Sequence, residues 1–90
     1  MKAPPQIVPP KYEIADVEAF QALQRGDASE HLQKRALGWI INSAAATYDL
    51  SFSPTDDRLT SFAEGRRFVG LQLVKLCALD INKLRRTENG

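Results

Sequence analysis

His31, Cys77 and the adjacent pair Asp56-Asp57 are the residues of this 90-residue sequence whose types and placement invite a chemical reading. His31 stands between Glu30 and Arg35 with no second histidine to share a metal, so it reads as an ordinary surface or rim histidine. Asp56 and Asp57 follow Ser53-Pro54 at a predicted helix start, where acids are favoured because they face the positive end of the helix dipole. Cys77 falls on the apolar stripe of a predicted helix, which predicts a buried, small core residue with a raised pKa rather than a reactive thiolate. A single cysteine excludes an intramolecular disulfide framework and a cysteine-rich zinc site. No GxGxxG, P-loop, GxSxG or HExxH pattern occurs. The expectation is a chain that is not an enzyme, with no catalytic residues, no metal and no cofactor.

The densest segment is Ser61 to Leu73, SFAEGRRFVGLQL. Gly65 and Gly70 lie inside a predicted helix, and each costs about 1 kcal/mol relative to alanine, so a close backbone approach is expected there. Their spacing of five places them about 140° apart, which suits two different neighbours better than one flat interface. Phe62, Arg66, Val69 and Leu73 share a face, which turns the Arg66 guanidinium toward the packed side, where it needs a partner. Glu64, two residues away, is badly placed for that role. The candidates are carbonyls at the end of the second helix or in loop 48–53, or a carboxylate such as Asp49. Two readings stay open: a helix pair clamped by an arginine, and a site for a phosphate or a partner's carboxylate. Trp39, Ile40, Phe52, Phe62, Gly65, Arg66, Val69, Gly70 and Leu73 are the expected packing and assembly residues. Arg67, Lys83, Arg85 and Arg86 are the candidates for contact with phosphates or an acidic partner.

The elements that would position these residues are all helical. The first dozen residues hold Pro4-Pro5 and Pro9-Pro10, which predict an extended, polyproline-like arm over residues 1–14, with Ile7 and Val8 as an apolar patch for a groove on a partner. A helical domain is expected over 15–86 and a short tail over 87–90. A short first helix, Val17 to Arg25, is capped by Asp16 and ended by Gly26. A second begins at Ala28 or Ser29, with Asp27 and Glu30 at capping-box spacing, and runs to about Thr47. It is apolar nearly all round after Arg35 and needs cover on more than one side. A long third helix starts at Pro54 or Thr55 and reaches about Arg85, about 45 Å in length. That overhangs so small a domain, so a break near Asp80 or Asn82, or projection into an assembly, is expected. The expected fold is all-α: a helical hairpin or three-helix unit with a proline-rich N-terminal arm.

Composition agrees. The chain is 43% hydrophobic and 26% charged with a net charge of +1, which fits one small globular domain. At this size a core is thin and oligomerisation is a live expectation. The longest uncharged stretch, Ala36 to Tyr48, is too short and too polar to span a bilayer, and no signal sequence opens the chain. Charge is unevenly placed: residues 1–57 carry 5 basic and 8 acidic side chains, residues 58–90 carry 7 and 3. Opposite charges on the two parts suit head-to-tail association.

The segment from Tyr48 to Leu76 resembles a family of small, mostly uncharacterised proteins of tailed bacteriophages and prophages. The residues that carry the resemblance are Ser51-Phe52, Asp56-Asp57, and the helix pattern Phe62, Glu64, Gly65, Arg66, Arg67, Gly70 and Leu71. It covers about a third of the chain. What the resemblance implies is a product of the phage morphogenesis region, encoded among head, portal and tail genes. The expected function is that of a non-enzymatic virion-associated structural or accessory protein, at the head-to-tail region or among internal ejected proteins. The expected partners are portal, tail or internal proteins or further copies of itself, with a location in the virion and, during assembly, in the host cytoplasm. A small intracellular effector or nucleic-acid-binding helical module is the alternative.

Overall fold

A computed structural model describes residues 8–89. They form α1 (Ile14–Arg25), α2 (Glu30–Trp39), a π turn (Ile40–Ala44) that continues α2, α3 (Asp57–Ala78) and α4 (Ile81–Asn89). No strand occurs among the described residues, and the fold is all-α. Ile7 of the expected arm lies outside the described residues. Val8 is about half exposed.

α1 begins three residues before the predicted start, because Asp16 is not its N-cap. Glu13 takes that position, and Asp16, the third helical residue, accepts from the Glu13 backbone N–H at 2.8 Å in a capping box. Reciprocal satisfaction of two orphan donors lets glutamate cap where it is ordinarily a poor choice. Gly26 ends the helix at φ 81°, and the Asp27 N–H bonds back to Ala22 O at 3.0 Å. The expected Asp27–Glu30 capping box is absent. Ser29 caps α2 instead, accepting from Leu32 N, while Asp27 pairs with Arg25 and Glu30 with Lys34.

α1 packs against α2 through small residues, with Ala19, Ala22 and Ala36 buried. Arg35 crosses from α2 to Asp16 Oδ1 at 2.9 Å and to Glu13 Oε2 at 3.3 Å, so one guanidinium holds the start of α1. Trp39 stacks edge-on against Phe20, with 5.5 Å between ring centroids, and its indole N–H donates to Lys11 O at 3.0 Å. That bond fixes the chain entering α1.

The predicted second helix does not run as one α-helix to Thr47. Ala45 N bonds to Ile40 O at 2.8 Å, five residues back, so the ladder widens into a π turn. Ala46 at φ 47° then reverses the chain, and Thr47 N returns to Ile41 O at 3.1 Å. This termination ordinarily takes glycine at the left-handed position.

α3 also starts later than predicted. Ser53 does not cap it: its hydroxyl lies beside Thr55 Oγ1 at 3.4 Å and its N–H donates to Thr60 Oγ1 at 2.8 Å, while Asp56 caps the helix, accepting from Arg58 N at 2.8 Å. Leu79 is extended, and Asp80 Oδ1 accepts from Asn82 N and Lys83 N to start α4. The break foreseen near Asp80 therefore makes four helices of the expected three. α4 continues through Asn89, so residues 87–89 of the expected tail are helical.

The packing is open. α3 meets the π turn, α1 meets only α2, and α4 packs on no other element among the described residues. The chain spans 53 × 35 × 16 Å with a radius of gyration of 16.6 Å. A compact chain of this length would have a radius near about 12 Å. The buried apolar side chains among the described residues are all alanine, and Thr47 is the largest side chain that is fully buried. Cys77 is a correction: it is exposed, because no element covers that part of α3.

Candidate functional site

Thr47 is the point at which the two halves of the chain are joined. Its hydroxyl donates to Ile41 O at 2.7 Å, its carbonyl accepts from Arg67 Nε at 2.9 Å, and its side chain lies directly against Gly70. A Cβ built at Gly70 would stand 1.8 Å from Thr47 Oγ1 and 2.9 Å from Ala45 Cβ. Gly70 is thus the site of the close approach expected in this helix. Gly65 is not, since a Cβ there would meet nothing within 4 Å.

Arg67, the neighbour of the predicted Arg66, makes a clamp of this kind. Arg67 bonds Glu64 Oε2 at 2.9 Å as well as the Thr47 carbonyl, and Glu64 Oε1 accepts from the Ser51 hydroxyl. Ser51, Glu64, Arg67, Thr47 and Gly70 form one connected clamp that fastens the linker after α2 onto α3. Ser51 and Arg67 both favour the charged carboxylate, and they hold the Glu64 pKa below its ordinary value. The bond from the Arg58 N–H lowers Asp56 in the same sense. Arg67 is three-quarters covered and engaged within the chain, so it is not a free contact for phosphate. Arg66 stacks on the Phe62 ring at 5.5 Å.

The signal that could have found the clamp was helical spacing. Glu64 is ill placed for Arg66, but at three residues' distance it is a proper neighbour of Arg67. Thr47 gave no such signal. Its role depends on the left-handed Ala46, and alanine seldom marks that conformation.

Fastening the linker by its serines turns its apolar residues out. Ser51 and Ser53 are buried, while the alternating residues Tyr48, Leu50 and Phe52 are 69%, 89% and 65% exposed. Phe52, expected in packing, is therefore displayed on the surface. On α3, Phe62 and Val69 are about half exposed and Leu73 is partly covered, since the buried side of that helix carries Ala63 and Gly70 instead. Val69 and Arg66 form one wall of an open groove of about 240 Å³, and Ile40, Ala44 and Ala45 form the other. A second apolar groove of about 230 Å³ lies between Tyr12, Val17, Phe20 and Trp39. Lys83, Arg85 and Arg86 are exposed on α4, and His31 is exposed in the first turn of α2.

Among the described residues, no three His, Cys, Asp or Glu side chains come together as metal ligands, and no helix is long and apolar enough to cross a membrane. No protein family, curated protein or solved structure matches this chain.

Proposed function

We propose that this chain is a non-enzymatic assembly protein, a structural or accessory component of a bacteriophage particle that works by helix-mediated contact with other particle proteins or with further copies of itself. The observation that carries the assembly reading is its burial pattern. The buried apolar side chains among the described residues are alanines, while Phe52, Phe68, Val69, Leu76 and others of their size remain open to solvent. Each large apolar side chain is worth about 1.5–3 kcal/mol when fully buried, so these open side chains hold apolar free energy for a partner to realise. The phage setting is supported by the resemblance of residues 48–76. The clamp gives that motif a physical sense: Ser51, Glu64, Arg67 and Gly70 hold the linker, while Phe52, Phe62 and Gly65 are displayed.

The test is mass spectrometry of gradient-purified particles of the encoding phage. Peptides of this chain at a fixed ratio to the major structural proteins are expected. Their absence from particles, with the chain abundant in the lysate, would overturn the virion role.

The second reading, a nucleic-acid-binding module, is favoured by the exposed Lys83, Arg85 and Arg86 on α4. It requires DNA affinity that falls steeply with salt. No binding at about 50 mM salt, where phosphate contacts are strong, removes it.

A further inference from the structure

We propose that the proline arm of one copy, residues 3–8, lies in the aromatic groove of a second copy. The inference rests on reading the chain as an assembly protein and deepens it by naming the surface and the segment that join. The groove of about 230 Å³ between α1 and α2 is lined by Tyr12, Val17, Phe20 and Trp39, together with Asp16 and Gln21. Three aromatic side chains, the single tryptophan among them, are gathered there. Aromatic-lined grooves are the surfaces into which proline-rich segments dock, because flat rings pack well on proline and the segment is already extended before it binds.

Residues 1–7 lie outside the described residues, and their sequence supplies what such a groove takes. Pro4 and Pro5 have no backbone N–H, so covering them with apolar side chains strands no donor. Residues three apart share an edge of a polyproline helix, which sets Ile7 in line with Pro4 and Val8 in line with Pro5, and leaves Gln6 on the third edge. Two apolar edges can then face the rings. The carbonyls of an extended segment are open to donors, and Gln21 brings an exposed amide to the groove. Charge agrees with this pairing. Lys2 is the only charged side chain in residues 1–10, and α1 carries Glu13, Asp16 and Glu18, of which the first two share Arg35. The arm of the same chain is badly placed to fill the groove. Trp39 holds Lys11 O at 3.0 Å, and from there the chain leaves: Val8 and Pro9 are exposed, and neither they nor Pro10 line the groove. Pro9 and Pro10 hold Val8 and Pro9 extended, which opposes a reversal back to Trp39. From Tyr12 to Pro5 an extended arm reaches about 22 Å, far enough to enter a neighbour's groove. Exchange of an identical segment between copies is a low-cost route to association.

The test uses the full chain with Cys77→Ser, so that cysteines can be placed singly. A chain with Ile7→Cys and a chain with Gln21→Cys, told apart by mass, are mixed and oxidised mildly, and a chain with both substitutions is oxidised alone at low concentration. A disulfide joining the two different chains in the mixture is the expected result. A link formed only within the dilute double variant would put the arm in its own groove and would overturn the proposal. So would a failure to link in either sample, which would leave the groove to a different protein.

Trp39, as the only tryptophan, reads the groove directly. Its emission should shift to the blue as protein concentration rises, in step with the mass from light scattering. Ile7→Asp carries a charge into the apolar groove, so the dissociation constant should rise by about tenfold or more. Helicity should persist in that variant, because Ile7 precedes α1. An Ile7→Asp protein with unchanged association and unchanged Trp39 emission would overturn the proposal. Particle analysis separates this inference from the functional one. A chain that exchanges its arm yet is missing from particles refutes only the phage role, and a particle component whose arm does not link to the groove refutes only the exchange.

Discussion

Gly70→Ala should destabilise this protein although alanine is the better helix former. The added methyl would lie 1.8 Å from Thr47 Oγ1 and 2.9 Å from Thr47 Cβ, where relaxed carbon contacts are about 3.5–4.0 Å. Thr47 cannot simply turn away. Rotating its hydroxyl breaks the 2.7 Å bond to Ile41 O and still leaves its Cβ too close. Moving its backbone strains the 2.9 Å bond from Arg67. Overpacking of this kind costs about 3 kcal/mol, and the gain in helix propensity returns about 1 kcal/mol, for a net loss of about 2 kcal/mol. The assay is urea unfolding followed by far-UV circular dichroism at one fixed protein concentration, because self-association makes stability concentration-dependent. Gly38→Ala is the control: a Cβ there meets nothing within 4 Å, so that variant should gain about 0.5–1 kcal/mol. Removing the hydroxyl with Thr47→Ala should recover part of the Gly70→Ala loss, a coupling of about 1 kcal/mol. A Gly70→Ala protein as stable as Gly38→Ala would refute the close approach and, with it, the clamp.

Arg67→Ala should cost about 1.5–3 kcal/mol in the same assay, because it removes a charge-assisted bond to a buried carbonyl, whereas Lys75→Ala on the exposed side should stay within about 0.5 kcal/mol. Ala46→Gly should stabilise the chain by about 1 kcal/mol by relieving the left-handed strain, read as a higher urea midpoint at unchanged slope. Glu64 has a folded pKa below its ordinary 4.5, so its contribution is complete above pH 4.5 and fades as the pH falls from there through the lowered value. Glu64→Gln should be less stable than the parent at neutral pH and lose less on acidification. Some acid sensitivity should remain at lower pH, because Asp56 is shifted in the same direction from 3.8.

Helix type, the stop at Gly26 and the break at Asp80 were legible because they rest on periodicity and on residues with strong local preferences. The starts of α1 and α3 were displaced because capping is a competition. Asp16 and Ser53 both have good cap chemistry, but one serves as the third residue of a capping box and the other is held by Thr60. The clamp was half legible. An arginine fastening the end of the second helix followed from the crowded face of α3, and the burial of Ala63 and Gly70 brings Arg67, which was not singled out for that role, onto the Thr47 carbonyl. The burial of Cys77 failed for another reason. An apolar stripe states that a residue would prefer cover, but whether the same chain provides it depends on the remaining helices, and here none reaches that part of α3.

The central claim is that this chain completes its apolar cover by association, and the most direct test is its solution mass by light scattering over a range of concentrations at two salt concentrations. The account predicts a species heavier than the 10.0 kDa of the chain that persists at high salt, because the exposed side chains it covers, Phe52, Phe68 and Leu76 among them, are apolar. A 10.0 kDa monomer at every concentration, unfolding cooperatively on its own, would contradict it.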